Sequence, residues 1–544
     1  MKTDSQPPVV LDSPPPAPPL SGGWWKKWVL STFFALVAGL VAALVSVASM
    51  LTLRLVAGIP TPVELFGDFI LKHLGVYTFV NMEIHFQPNP KLTPLGLTSL
   101  AMIALGVVLG PLYALLVRLS LPVTGQRPQR REWWVMVSLG LVMAAFGTIL
   151  FWNEIRQNFL GLPIFWASLV SALGMLLDFV LYALVLGWSY RILLPKQTGE
   201  AGQEETARGR RQLLARTSVA VLGVGAAAGT LGLVRGYLDR YSSYDGMETW
   251  TIGGHTAPIT PINEHYVVTQ NPIDPTPSTG VWRLEVTGLV NSSGTYTYEE
   301  FTSLPSISRA VTLECIANGI GGHLISTAIW QGVTFRSLLE KHGGAQTSAK
   351  YVVFSSIDGY TVSQPLEEVL AVDTLLAFRM DGVELPERHG YPVRVLIPGH
   401  YGEENPKWLT RIELSEQFVG GLYSDQGWYN GQLHTISRID RPIGRTPLAT
   451  TVEVAGFSFA GSRGIERVEV STDDGVTWAD AQLTSPLSQD TWVFWSYEWH
   501  PTARGAYTLV ARATDGTGQV QTSQAQGTVP DGATGYSKVP VTLA

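Results

Sequence analysis

One cysteine, Cys315, is all that 544 residues provide. No internal disulfide can form, so this thiol serves either packing or chemistry. Charge is sparse as well, at 15% of residues, with a net charge of −7. The arginines gather at the edges of apolar runs and do not interleave with aromatics, which excludes nucleic acid as a partner. The ten histidines stand at 73, 85, 255, 265, 323, 342, 389, 400, 434 and 500. None falls inside an apolar run long enough to cross a bilayer, which excludes a bis-His haem buried there. A Cys-x-x-Cys-His haem attachment motif is absent too.

The first 240 residues hold long apolar runs. They extend over Trp28–Leu53, Leu95–Val117, Trp133–Phe151, Pro163–Trp188 and Thr217–Val234, each near the roughly 20 residues that a spanning helix needs. Five transmembrane helices are expected. Lys26 and Lys27 precede the first run, Arg118, Arg127, Arg130 and Arg131 fill the second connection, and Arg191, Lys196, Arg208, Arg210, Arg211 and Arg216 fill the fourth. The third connection carries only Arg156. By the positive-inside rule the N-terminus is cytoplasmic and everything after the fifth run lies outside. Asp178 is the one carboxylate well inside a run, either a functional site or a helix-packing hydrogen bond. The connection Ala57–Pro94 reads as an amphipathic segment on the outer membrane surface, and residues 1–23 as a disordered proline-rich tail. Arg210-Arg211 ahead of the weakly apolar fifth run reads either as an ordinary basic flank or as an internal twin-arginine export signal.

Downstream, short β-rich runs alternate with brief helical patterns and many turns. Trp282–Gly288, Ala310–Glu314, Tyr351–Phe354 and Pro392–Ile397 read as strands, and Thr334–His342 and Pro365–Leu370 as helices. This is an α+β domain. From Gly444 the pattern becomes strands alone, with Gly and Asp turns, as in an immunoglobulin-like β-sandwich. The expected division is a membrane domain over 24–240, a catalytic domain over 241–443, a sandwich over 444–528 and a poorly ordered tail over 529–544.

The run Leu313-Glu-Cys-Ile-Ala-Asn-Gly-Ile-Gly-Gly322 resembles the molybdenum-binding segment of the sulfite oxidase family. Leu385-Pro-Glu-Arg-His-Gly-Tyr-Pro-Val-Arg-Val-Leu-Ile-Pro-Gly399 and Tyr401-Gly-Glu-Glu-Asn-Pro-Lys-Trp408 resemble its second and third signatures, in the right order. The resemblance covers roughly residues 255–528. It implies a molybdenum–molybdopterin cofactor with Cys315 as the thiolate ligand and catalytic residue, a soft donor suited to such a metal. It places pterin and phosphate contacts on Asn263, Tyr266, Val267, Ser356, His389, Arg394, Asn405, Pro406 and Lys407. The run Glu469–Trp478 resembles the family's dimerisation domain, which implies a homodimer.

Sulfite oxidases carry arginines just after the cysteine and in the opening segment; here those positions are Gly319 and Ile320, and the run at Val268. A pocket without those cations should hold sulfite poorly. The expected protein is therefore a molybdopterin-dependent oxidoreductase anchored in the plasma membrane of a prokaryote, with its catalytic domain outside. It would act on a small molecule such as an S-oxide or N-oxide and exchange electrons with a separate quinol or cytochrome. The alternatives are sulfite oxidation and, in a different class, a non-catalytic membrane-anchored adhesion or receptor module.

Overall fold

The computed structural model describes residues 23–73, 78, 92–119, 121, 123, 127–195, 204–241, 256–269, 271 and 274–544. The proline-rich tail, Lys196 and the linker 242–255 lie outside the described residues. Six helices come first: α1 (Gly23–Ala57), α2 (Pro62–His73), α3 (Leu92–Val117), α4 (Arg130–Leu150), α5 (Ile164–Leu193) and α6 (Glu204–Tyr241). All but α2 contain a stretch long and apolar enough to cross a membrane, as the runs in the sequence foretold.

The helices are held together by close backbone approach and buried polar pairs. A Cβ on Gly39 would fall 2.8 Å from the carbonyl oxygens of Gly106 and Val107, and one on Gly110 would strike the Ala35 carbonyl. Glycine at these positions lets α1 and α3 touch along their backbones. The Ser46 hydroxyl on α1 donates to Asp178 on α5 at 2.8 Å. Arg191 pairs with Glu132 at 3.3 Å, and Arg54 at the end of α1 pairs with Glu64 of α2 at 3.2 Å.

The connections sort onto two ends. At one, the Val123 amide donates to the Pro195 carbonyl, joining the α3–α4 and α5–α6 connections. At the other, α2 and the turn between α4 and α5 press into the next domain. Phe159 of that turn belongs to the core that contains the fully buried Trp282. The Asn158 amide donates to Ile357 and the Ser278 amide to Leu160. The Arg54 guanidinium lies 3.7 Å over the Phe159 ring. The seating is apolar at its centre and closed by hydrogen bonds around it.

That next domain has two sheets. The first runs β2 (Gly294–Tyr296), β1 (Leu284–Gly288), β10 (Leu409–Ser415), β5 (Tyr351–Ser356), β6 (Thr361–Pro365), with β1 and β10 parallel and the remaining pairs antiparallel. The second runs β3 (Ile307–Glu314), β4 (Ile325–Thr334), β7 (Leu375–Met380), β8 (Val383–Glu384), with β9 (Arg394–Leu396) also on β7. The expected strands and both short helices are present, and the architecture is α+β.

The last domain packs the sheet β11 (Ile436–Arg441), β13 (Val452–Phe459), β17 (Val493–Trp499), β16 (Gln482–Leu483) on a second sheet. The second is β12 (Gly444–Thr446), β19 (Ser537–Leu543), β18 (Gly505–Asp515), β14 (Ile465–Ser471), β15 (Ala479–Asp480). Val454, Val470, Trp495, Trp499 and Leu509 fill the space between them. Two sequence boundaries are corrected here. Residues 436–443 belong to the sandwich, because β11 pairs with β13 from Ile436 to Arg441. Residues 529–544 are no tail, since β19 lies hydrogen-bonded between β12 and β18. Pro540 reads as a strand breaker, yet Ser537, Val541 and Leu543 alternate inward around it.

Candidate functional site

Cys315 directly follows β3, where the chain leaves the sheet in a tight loop closed by its own polar groups. The Cys315 amide donates to the Leu324 carbonyl at 2.9 Å and the Asn318 amide to the Cys315 carbonyl at 2.8 Å. The Asn318 side chain accepts from the Leu324 amide and donates to Glu314 Oε1, both at 2.9 Å. The thiol is 7% exposed. The third signature passes close by: a Cβ at Gly402 would sit 2.7 Å from Tyr266 Oη and, at ordinary contact distance, 3.6 Å from Cys315 Cα.

The structure brings the expected site residues into one region. The rings of His265 and His389 meet edge to face at 5.0 Å. Arg394 donates to the carbonyls of His389 (3.1 Å) and Asn405 (3.2 Å) and lies 5.1 Å over Trp330. Lys407 donates to the carbonyls of Val268 (3.0 Å) and Arg388 (3.1 Å). Ser356 pairs with Leu409, two residues beyond Lys407. Tyr266 is buried, Val267 half-buried and Asn263 exposed, all on the opening segment that passes beside His389.

Two of these side chains are already committed to the fold. Asn405 accepts from the Ile397 amide at 2.6 Å and donates to the carbonyls of His400 and Tyr401. Pro406 is buried and its carbonyl accepts from the Val395 amide at 2.9 Å. Both fix the loop that carries Lys407.

Other polar atoms in this region are buried without partners: His265 Nε2, Ser356 Oγ, Arg394 Nε, Glu314 Oε2 and both carboxyl oxygens of Glu403. Buried polar groups normally find partners. Burial pushes His265 down to about 3, with Arg394 adding to the fall. His389 is pushed well below the usual histidine range, first by burial and then by His265, Arg394 and Lys407. Both rings are neutral at pH 7. Burial also lifts Glu314 to about 8, opposed by the Asn318 amide. Glu403 is lifted well above the carboxylate range, first by burial and then by Glu404. A cradle of neutral histidines, a hydroxyl, a guanidinium and an ammonium fits a hydrogen-bonding, anionic pterin cofactor.

His265, Glu314 and Glu403 were not singled out by the sequence reading. His265 stands beside Tyr266, and both glutamates stand within the quoted signatures, so their positions were visible but their burial was not. Beyond Cys315, a small cleft is lined by Asn318–Gly322, Ile436–Arg438 and Phe457. The cation that reaches it, Arg438, donates to Asp440 at 2.7 Å, to Thr256 at 2.6 Å and to the Gly322 carbonyl at 2.8 Å.

Residues 270–423 match the oxidoreductase molybdopterin binding domain, and residues 435–533 match the Mo-co oxidoreductase dimerisation domain. NADH nitrate reductase 1 of Nicotiana tabacum is 28% identical over 308 residues, covering 45% of this chain and 34% of that protein. The NADH nitrate reductase of Solanum lycopersicum gives the same identity and shares. The chain thus spans about a third of the length of these curated relatives. The sulfane dehydrogenase SoxCD of Paracoccus pantotrophus superposes with a TM-score of 0.45 at 22% identity, over 52% of this chain and 82% of that one. From the β-rich domain that holds Cys315 through the sandwich that follows it, the chain belongs to the sulfite oxidase family of molybdenum cofactor-dependent oxidoreductases.

Proposed function

We propose that the protein is a membrane-anchored reductase of neutral S-oxides or N-oxides, with its cofactor domain outside the plasma membrane of a prokaryote. Cys315 ligates the molybdenum, which supplies two-electron oxygen-atom chemistry when bound. His265, Ser356, His389, Arg394 and Lys407 hold the pterin and its phosphate, Asn263, Tyr266 and Val267 flank them, and Asn405 and Pro406 fix the loop of Lys407. The sandwich, immunoglobulin-like in its strand pattern, mediates a homodimer.

The observation that carries this reading is the polarity around Cys315. Its turn is flanked by the buried carboxyls of Glu314 and Glu403, and the guanidinium that reaches the adjoining cleft is occupied by Asp440, Thr256 and Gly322. An anionic substrate there gains little from charge, because the two carboxyls are held neutral by burial and the guanidinium is already occupied; a neutral oxide needs no such cation. Sulfite oxidation is the second reading of the same site, and nitrate, the substrate named for the plant relatives, is a third. The positive-inside pattern supports the sidedness: α2 and the α4–α5 turn, which seat the cofactor domain, belong to the connections poor in arginine.

The test is metal and pterin analysis of the full chain from a cofactor-competent host. It is followed by turnover with reduced viologen on a panel of sulfoxides, N-oxides and nitrate, and with an artificial acceptor on sulfite. Oxide turnover with poor use of sulfite and nitrate is the expected result. Efficient oxidation of micromolar sulfite would overturn it.

A further inference from the structure

The turn Ile357–Tyr360 rests on the membrane domain. The Asn158 amide donates to Ile357, a Cβ on Gly359 would lie 3.8 Å from Gln157, and Gln157 donates to Asp68 of α2 at 2.7 Å. From this turn a row of rings extends: Tyr360 to Tyr423 at 5.8 Å and Tyr423 to Trp428 at 4.6 Å. At its inner side the row meets the site. Tyr360 Oη donates to the Glu403 carbonyl at 2.5 Å, and Trp428 packs on the cluster that contains Ile316, the residue after Cys315. At its outer side, the short helix Leu422–Asp425, which carries Tyr423, packs against α2.

Helix α2 follows the outer end of α1 by five residues and keeps Phe66 exposed. Its sequence, Pro-Val-Glu-Leu-Phe-Gly-Asp-Phe-Ile-Leu-Lys-His, segregates apolar from charged residues in the manner of a helix lying in the bilayer interface. The aromatic row thus starts at headgroup level and ends beside the cysteine turn. Flat rings that are half-buried, apolar in body and polar at one edge suit a flat partner of the same character. A soluble redox protein would need an open face of several hundred Å² away from the lipid, whereas a lipid-soluble carrier arrives at this level from the bilayer.

We propose that Tyr360, Tyr423 and Trp428 form the contact site for a membrane quinol, which delivers its electrons to the cofactor here. This rests on the reading of the site as a molybdopterin reductase and names its electron donor. The quinol gives up two electrons and two protons and leaves as the quinone. The electrons pass to the cofactor and on to the oxide substrate, which takes up two protons and loses its oxygen as water.

Two measurements on the full chain in lipid nanodiscs test this. The first is binding of a short-chain benzoquinone to cofactor-free protein, read by fluorescence quenching against empty discs. The second is anaerobic reduction of the loaded protein by the matching quinol, read from the molybdenum optical band with no oxide present. Tyr423→Leu and Trp428→Leu should each weaken binding and slow quinol reduction by about ten-fold, the loss of one aromatic stacking contact. Reduction by dithionite should be unchanged, and Tyr423→Phe, which keeps the ring, should behave as the parent. Failure of quinol to reduce the parent, or variants that match it, would overturn the proposal, as would an equal loss with dithionite. Loss of oxide turnover with viologen in the parent would instead strike the reductase reading and leave the quinol measurement standing.

Discussion

The two β-rich domains treat buried charge differently. In the sandwich the carboxylates are matched: Asp515, fully buried, accepts from Arg463 at 2.8 Å and from the Thr517 and Gln519 amides. Glu469 accepts from Arg512 at 2.7 Å and pairs with Arg467 at 3.0 Å. In the cofactor domain, His265, Ser356, Arg394, Glu314 and Glu403 all keep buried polar atoms without partners. Unpartnered atoms occur in the sandwich too, on Ser458 and Trp495, but those of the cofactor domain include a group gathered around the cysteine turn and the signature loops. An unmatched buried group costs about 1–3 kcal/mol, so a fold that keeps several together is reserving them for a ligand.

The largest effect should come from the thiol. Cys315→Ser replaces a soft thiolate with a poor ligand for molybdenum, and turnover should be lost on every substrate while the sandwich and spans remain intact. Elemental analysis and circular dichroism of the purified variant check this, and retained molybdenum with retained turnover would break the contrast at its centre. Next is removal of the whole cofactor. Protein from a host unable to make molybdopterin should melt roughly 5–10 °C lower, given the unmatched groups left exposed to no partner. Hydrogen exchange should rise around Ser356, His389 and Lys407 and stay unchanged across Val454 and Leu509.

Much of this contrast was legible from residue order. The spans announced themselves by length, and Cys315 by its solitude and its glycine-rich loop. His389, Arg394 and Lys407 were singled out only by resemblance to two signatures of the sulfite oxidase family. What stayed hidden depends on packing across long separations. Nothing local marks Phe159, in a turn between two spans, as part of the core around Trp282. Glu403 reads as one more surface acid until Tyr360, Ile316 and Glu404 close around it. Arg438 drew no notice in the sequence, and the structure brings it to the cleft with Asp440 and Thr256 as partners. The last strand was missed because its pairing partners, β12 and β18, lie far from it in sequence.

A third experiment moves the mismatch into the sandwich. Arg463→Ala would leave Asp515 buried with only amide and hydroxyl donors, and loss of one partner from a buried pair costs about 3 kcal/mol. The sandwich should then unfold at lower denaturant while molybdenum content is unaffected. A change under about 0.5 kcal/mol, ordinary for a surface substitution, would show that the Thr517 and Gln519 contacts suffice and that the domains differ less than their geometry suggests.

The smallest effect isolates one satisfied carboxylate. Asp473 is exposed at a turn, where its side chain accepts from the hydroxyls of Ser471 and Thr477 and from the amides of Val476 (3.1 Å) and Thr477 (2.8 Å). Hydrogen bonds from Thr477 and Ser471 hold it down at about 2, below its ordinary 3.8. A carboxyl lowered in the folded state stabilises that state above its unfolded value and ceases to do so as pH falls through the folded one. The advantage of the parent over Asp473→Asn should therefore be constant above about pH 4 and fade between about pH 4 and pH 2. Amide exchange at Val476 and Thr477 reads it directly, as the ratio of protection in the parent to that in the variant. A ratio that fell instead between pH 8 and pH 5 would assign the stabilisation to another group, because Asp473 keeps its charge throughout that range.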